Sequence, residues 1–230
     1  MNTNSNTYTI VYASVMVIIV AFVLAFVSYS LKDIQNKNVE LDKMKQILSS
    51  LNVDIKGQDA EALYQKYIKK DMIINSKGVV TAEQGGFNVV EKVELAKPLE
   101  QRQLTVFVAE VDGQTKYIIP LYGQGLWGPI WGYVALDDDK DTVYGTYYSH
   151  AGETPGLGAE IATESFQKPF IGKHIMKDGQ LVSIAVVKPG KTASGQDYVD
   201  GISGGTITSV AVENMLKNIL AQYNEFLMKK

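Results

Sequence analysis

The chain has 230 residues, a formal net charge of −3 and 46% hydrophobic residues, which is enough apolar material to bury one sizeable domain. The acidic balance and the lack of a basic stripe exclude nucleic acid as an expected partner. Cysteine is absent and His150 and His174 are the only histidines, so disulfides, iron–sulfur ligation and thiolate zinc sites are excluded and no metal site is expected.

The first predicted element is a membrane span. Residues 10–29 carry no charge and are almost entirely apolar, and as a helix they would cover about 30 Å, the thickness of a bilayer core. A cleaved signal peptide is the alternative, but the run is longer than its apolar region, no Lys or Arg precedes it, and no small-x-small cleavage site follows. The sequence predicts a short tail over 1–9 and a single transmembrane helix over 10–29.

A helical stalk is predicted to follow the span. Ile34, Leu41 and Leu48 recur every seven residues, a spacing typical of a helix with one apolar stripe. We therefore predict a stalk over 30–56, ended by Gly57. Lys32 and Lys37 follow the span, whereas 1–9 has no basic residue, so the positive-inside rule weakly places the C-terminal side in the cytoplasm.

The remainder, residues 57–230, is predicted to be an α+β domain with an antiparallel sheet and packed helices. Two hairpins are expected, one turning at Asp112 and Gly113 and one at an acidic turn over 137–141, which we interpret as a solvated tip. A near-continuous apolar strand is predicted over 181–187. A C-terminal helix follows, and the apolar residues beyond Val210 give it one broad buried face.

Residues 200–209 read Asp-Gly-Ile-Ser-Gly-Gly-Thr-Ile-Thr-Ser. Three glycines allow close approach of the backbone, and the hydroxyls lie just before a helix predicted to start near Thr208. The free N–H groups and positive end of a helix dipole favour an anion such as phosphate. A plain glycine turn with a Thr or Ser N-cap is the alternative.

A second unusual stretch, residues 152–158, reads Gly-Glu-Thr-Pro-Gly-Leu-Gly. Pro155 fixes one backbone angle and Gly156 permits a tight return, so the loop would present its backbone amides and Leu157 to one side. A rigid surface turn is the alternative interpretation.

Together these segments resemble the FMN-binding domain family. Residues 200–208 are similar to its flavinylation motif, Asp-x-x-Ser-Gly-Ala-Thr-x-Thr, with Gly205 in place of the usual Ala. The resemblance implies that Thr208 carries FMN through a phosphoester to its hydroxyl. The neighbouring motif residues would complete the phosphate end of the site: Ser203, Gly204, Gly205 and Thr206.

The resemblance also implies contacts to the flavin ring. The family carries the Gly-Glu-Thr-Pro-Gly-Leu-Gly segment against its flavin, so the ring would be bordered by Glu153, Thr154, Gly156 and Leu157. The segment Gly-Leu-Trp-Gly-Pro over 125–129 is similar to one in the branch formed by C subunits of Na⁺-pumping NADH:quinone oxidoreductases. Trp127 would then lie beside the flavin or, alternatively, in the core. Lys188 would lie near the phosphate or flavin, or at a solvated strand end.

The implied function is a membrane-anchored electron-transfer subunit that carries covalent FMN and relays electrons from NADH towards quinone. No dinucleotide-binding fingerprint is present, so no complete active site and no catalytic residue beyond the flavin are expected in this chain alone. Expected partners are the lipid bilayer, other membrane subunits and a separate flavin transferase. The family implies a single-pass protein of the bacterial inner membrane with its soluble domain on the periplasmic side, opposite to the charge bias.

Two alternatives stay open. One is the flavinylated G subunit of the related ferredoxin:NAD electron-transport complex, which shares the anchor and the flavinylation motif. The other is a membrane-tethered scaffold that has lost the flavin.

Overall fold

The computed structural model describes residues 5–229. Its first element, α1, spans Asn6–Ser50 and continues without a break from the predicted span into the predicted stalk. Within the described residues it is the one helix long and apolar enough to cross a bilayer, with a mean hydropathy of 3.0 in its most apolar part. All side chains over residues 10–29 are exposed. The chain divides into two compact units, one ending at Lys43 and one beginning at Met44.

An antiparallel sheet forms the centre of the second unit. In chain order its strands are β1 (Ile68–Ile74), β2 (Val80–Ala82), β3 (Leu104–Val111), β4 (Gln114–Gln124), β5 (Pro129–Leu136) and β6 (Val143–His150). Their order in the sheet is β2-β1-β3-β4-β5-β6. Asp112 and Gly113 connect β3 to β4 with φ angles of 51° and 76°, the left-handed pair that suits a two-residue hairpin turn.

Helices cover both faces of this sheet. They are α2 (Ala60–Tyr67), α3 (Glu91–Leu95), α4 (Glu164–Gln167), α5 (Thr206–Gln222) and α6 (Asn224–Leu227), with 3-10 turns at Gly86–Asn88, Leu99–Gln101, Gly158–Ala162 and Lys168–Phe170. The apolar face of α5 packs against one side of the sheet in the larger core. Ile47 and Leu51, from the last turn of α1 and just beyond it, pack against the other side. The predicted α+β class is confirmed.

The apolar run over 181–187 does not form one strand, so that prediction is wrong. It is divided between β8 (Gln180–Leu181), which pairs with β7 (Met176–Lys177), and β9 (Ala185–Val187), which runs parallel to β10 (Tyr198–Asp200). The N–H groups of Val182 and Ser183 both donate to the Ile175 carbonyl, at 2.9 and 2.8 Å. This double contact bends the chain, and Ser183 takes a φ of 64°.

The acidic turn over 137–141 is not simply a solvated tip. Asp137 pairs with Lys116 Nζ at 2.5 Å, and the Lys116 side chain is 4% exposed. Asp139 accepts the Thr142 hydroxyl at 2.6 Å, and Asp141 lies 3.2 Å from His174 Nδ1. The carboxylates therefore close the turn and tie it to its neighbours.

Candidate functional site

Thr208 lies in the first turn of α5 with its side chain turned into the protein. The helix begins at Thr206, two residues before the predicted start, so Thr208 is its third residue. Thr208 is 1% exposed, and its hydroxyl donates to Glu153 Oε2 at 2.6 Å. The first N–H groups of any helix have no acceptor within the helix, so this hydroxyl lies beside a positive helix end.

The Glu153 carboxylate connects three segments that are far apart in sequence. Oε2 accepts the Thr208 hydroxyl, and Oε1 accepts the backbone N–H of Trp127 at 2.9 Å. Glu153 is 4% exposed, and a buried carboxylate is tolerated when donors such as these satisfy it. Its own N–H donates to His150 Nδ1 at 3.1 Å, so Nδ1 is the acceptor and the ring carries its proton on Nε2.

Two glycines let the backbone come close to this carboxylate. A Cβ at Gly158 would overlap both Thr208 Oγ1 and Glu153 Oε2, and a Cβ at Gly125 would lie 2.5 Å from Glu153 Oε1. Because any side chain at either position would displace the carboxylate, these glycines are part of the site's construction.

The loop over residues 154–158 covers Thr208. The Thr154 carbonyl accepts the N–H groups of Leu157 and Ala159, each at 3.1 Å. Gly156 has a φ of +74°, which favours glycine. Leu157 packs against Gly204, since a Cβ added at Gly204 would lie 2.7 Å from Leu157 Cδ2. The two motifs predicted to form one site are therefore in contact.

The three segments that meet at Glu153 and Thr208 also carry exposed apolar side chains. Trp127 is 69% exposed, so the alternative that it belongs to the core is wrong. Leu126, Leu157 and Ile207 are 47%, 41% and 58% exposed. An open aromatic face with aliphatic neighbours suits a flat ring system. A groove of about 660 Å³ runs along the outer side of α5, lined in part by Tyr122, Ile207 and Val210.

The other residues predicted to bind the cofactor differ in where they lie relative to Thr208 and Glu153. Ser203 is exposed on the turn that leads into α5, Thr206 is exposed at the first position of α5, and Gly205 is buried beneath Leu157. Lys188 is exposed beyond the end of β9, and within residues 5–229 no described contact joins it to Thr208 or Glu153. The helix end and the Thr208 hydroxyl therefore lie together, and a role for Lys188 stays a prediction.

Sequence reasoning missed two features of the site. His150 belongs to none of the sequence motifs. Glu153 does not stand out in the sequence as a partner of Thr208, because the two residues are 55 positions apart. The sole signal was its place in the Gly-Glu-Thr-Pro-Gly-Leu-Gly segment.

The donor set fits a phosphoester in its chemistry, since it provides a hydroxyl, a carboxylate that holds its proton and a helix N-terminus. The burial of Thr208, which is 1% exposed, argues against attachment in this arrangement, because a phosphoryl donor needs access to the hydroxyl.

A family model described as the FMN-binding domain matches residues 125–221, which include all three segments of the site. Among curated proteins, the C subunit of the Na(+)-translocating NADH-quinone reductase from Pasteurella multocida is 33% identical over 222 residues, which cover 86% of this chain and 84% of that protein. The protein of the same description from Haemophilus ducreyi is 28% identical, covering 94% of this chain and 90% of the relative.

A solved structure extends the likeness to the fold. The crystal structure of the C subunit of the Na(+)-translocating NADH-quinone reductase from Parabacteroides distasonis is 48% identical in sequence and superposes with a TM-score of 0.82, covering 87% of this chain and 98% of that one. The chain therefore belongs to the C-subunit family of the Na(+)-translocating NADH-quinone reductases.

Proposed function

We propose that this chain is the FMN-carrying electron-transfer subunit of a Na⁺-translocating NADH:quinone oxidoreductase, with FMN joined by a phosphoester to Thr208. The observation that carries the proposal is the hydrogen bond between the Thr208 hydroxyl and Glu153, at 2.6 Å in the first turn of α5. An ordinary N-cap would bond a backbone N–H of its own helix, whereas this hydroxyl is held by a carboxylate from another motif.

The residues around Thr208 have separable tasks in this proposal. The N–H groups in the first turn of α5 and the turn over 203–205 would hold the phosphate. Leu126, Trp127 and Leu157 would bind the ring by apolar and aromatic contact. When bound, FMN supplies the capacity to accept and release electrons. A tethered cofactor cannot diffuse away, which suits a relay between other redox centres.

The loop over residues 154–158 must open before FMN can join Thr208. Its tip is exposed at Pro155, and within the loop the Gly156 N–H donates to Glu160 Oε1 at 3.0 Å. Near Thr208 the loop is held where Leu157 packs against Gly204 and Gly205 and where Gly158 meets the Thr208–Glu153 pair. Opening the loop would break these contacts.

The proposed setting is a bacterial inner membrane, with α1 as a single-pass anchor. Its uncharged residues 10–29 are exposed, as lipid-facing side chains would be. We place the soluble domain on the periplasmic side, other membrane subunits as its partners, and a separate flavin transferase as the source of its cofactor. Oxidation of NADH and reduction of quinone would take place on the partner subunits.

The alternative as a G subunit of a ferredoxin:NAD electron-transport complex is disfavoured by the likeness to C-subunit proteins over most of the chain. The alternative as a scaffold without flavin makes a different prediction, because a scaffold would show no covalent flavin.

In-gel flavin fluorescence of the denatured chain tests the proposal. We expect a fluorescent band from the wild-type chain, its loss in Thr208→Ala, and its retention in Thr206→Ala, which removes the other hydroxyl of the motif. A band that persists in Thr208→Ala and vanishes in Thr206→Ala would move the attachment point, and no band in any chain would favour the scaffold.

A further inference from the structure

We propose that Glu153 is the general base that activates Thr208 for its own flavinylation, so that this chain supplies a catalytic group as well as the acceptor. The inference rests on the proposed attachment at Thr208. It differs from that proposal because it concerns how the bond forms, not where.

The geometry of the pair is that of a nucleophile and its base. Thr208 Oγ1 donates to Glu153 Oε2 at 2.6 Å, within the range expected when a carboxylate is to take a hydroxyl proton. Both residues are buried, at 1% and 4% exposure, so water does not compete for the hydroxyl while the loop over 154–158 is closed. A hydroxyl is a poor nucleophile unless a base removes its proton.

The second oxygen of Glu153 fixes its orientation. Oε1 accepts the Trp127 backbone N–H at 2.9 Å, and the Glu153 backbone N–H is itself held by His150 Nδ1. The backbone at Gly125 lies close to Oε1 and the backbone at Gly158 lies close to Oε2, so the carboxylate has no space to turn. A base oriented by further contacts is the usual companion of an activated hydroxyl.

The step balances as a phosphoryl transfer. The Thr208 proton passes to Glu153 Oε2, and the Oγ1 electron pair forms a bond to the FMN phosphorus of a flavin phosphoanhydride such as FAD. The bond from that phosphorus to the bridging oxygen breaks, and its electron pair leaves with the second phosphate, as AMP when FAD is the donor. No electron is exchanged with the flavin ring. Kinases use a carboxylate in the same way to accept the proton of a substrate hydroxyl.

The proton transfer also prepares the product. Thr208 can no longer donate once it is esterified, and an ionised Glu153 would then face a phosphodiester anion. With the proton on its carboxyl group, Glu153 can donate to a phosphoester oxygen instead. The same residue therefore serves both states of the site.

The test is the rate at which the purified full-length chain gains FMN from FAD in the presence of a flavin transferase, followed by intact mass. Glu153→Gln removes the base while keeping the size of the side chain, and we expect loading to slow by about 100-fold. Glu153→Asp keeps a carboxylate, and we expect it to load at least about tenfold faster than Glu153→Gln.

Asp71→Asn is the matched control. Asp71 is likewise a carboxylate that accepts two hydrogen bonds and organises a glycine-containing loop, through Gly85 N at 3.2 Å and Phe87 N at 2.8 Å, but it does not contact Thr208. It should load at the wild-type rate. Loading of Glu153→Gln at the wild-type rate, or equally slow loading of Glu153→Gln and Glu153→Asp, would overturn the base role while leaving the attachment at Thr208 intact. A wild-type chain that gains no FMN would remove both proposals.

Discussion

At the scale of single residues, the site depends on close approach to one buried carboxylate. Glu153 holds a side-chain hydroxyl and a backbone amide with its two oxygens, and no side chain at Gly158 fits beside them. A protein interior is close-packed and has no free volume for an added methyl group, so the neighbouring atoms must move to make room for it.

Gly158→Ala should therefore break the contact between Thr208 and Glu153. We expect a loss of about 1–3 kcal/mol in the free energy of unfolding and much slower gain of FMN. Denaturant unfolding and intact-mass measurement check the two effects.

Gly152→Ala is the control from the same loop, since a Cβ there would meet nothing within 4 Å. Its free energy of unfolding should stay within about 0.5 kcal/mol of the wild type. Equal effects of the two substitutions would contradict the role given to Gly158.

Gly205 is the position where this chain departs from the family motif. A Cβ there would lie 3.0 Å from Ile202 Cγ2 and 3.2 Å from the Leu157 carbonyl carbon. Ile202 and Leu157 would therefore have to move by a few tenths of an ångström. Its φ of −105° is one that alanine adopts without strain.

Gly205→Ala should push the Leu157 loop away from Thr208 and make the hydroxyl easier to reach. We expect a gain of FMN at least as fast as in the wild type, with a change in stability below about 1 kcal/mol, both measured on the full chain. Slower loading would show that the closeness of the loop helps attachment.

At the scale of elements, α5 is held at both ends. Its first turn meets Glu153, and its last residue, Gln222, accepts a hydrogen bond from Arg102 Nη1 at 2.8 Å. The segment that carries Arg102 is fixed in turn by Glu94, whose carboxylate accepts Gln103 N–H at 2.9 Å and Lys97 Nζ at 2.7 Å. Burial alone would raise the pKa of Glu94, but these contacts outweigh it and hold the pKa below its ordinary value of 4.5.

The lowered pKa of Glu94 determines how its contribution to stability changes with pH. A carboxyl group with a lowered pKa in the folded state stabilises the protein above its ordinary pKa, and this contribution is lost as pH falls through the folded value. Glu94→Gln should therefore lower the Tm most near pH 7 and progressively less below pH 4.5.

Thermal unfolding across this pH range checks the prediction, with Glu100→Gln, an exposed carboxylate nearby, as the control. A Tm difference that grows as pH falls would contradict the assignment.

The periodicity of hydrophobic residues predicted helices and strands well where these depend on residues close together in the sequence. The hairpin predicted to turn at Asp112 and Gly113 is formed by β3 and β4, and the buried face of α5, including Val212, Leu216 and Leu220, lies in the core. Prediction failed over 181–187, where two N–H groups share the Ile175 carbonyl. No periodicity signals such a tertiary contact. The pairing of Thr208 with Glu153 was hidden for the same reason.

At the scale of the whole molecule, the compact unit begins at Met44, whereas the sequence placed the start of the domain at residue 57. That boundary is still a prediction, and truncation tests it. Ile47, Leu48 and Leu51 are each 1% exposed or less, and burial of such a side chain contributes about 1.5–3 kcal/mol.

A chain that starts at Met44 should fold, remain in solution without detergent and unfold cooperatively. A chain that starts at Gly57 should be several kcal/mol less stable or fail to fold, because it lacks three core side chains. Circular dichroism during denaturant unfolding compares them. Equal stability of the two chains would support the boundary at 57.

The central claim is tested most directly by the intact mass of the full-length chain produced with a flavin transferase. We expect the wild-type chain to be heavier than its sequence by the mass of FMN less one water, and fragmentation to place this addition on Thr208. Thr208→Ala should have the mass of its sequence alone. An unmodified wild-type chain, or an addition that persists in Thr208→Ala, would contradict the account.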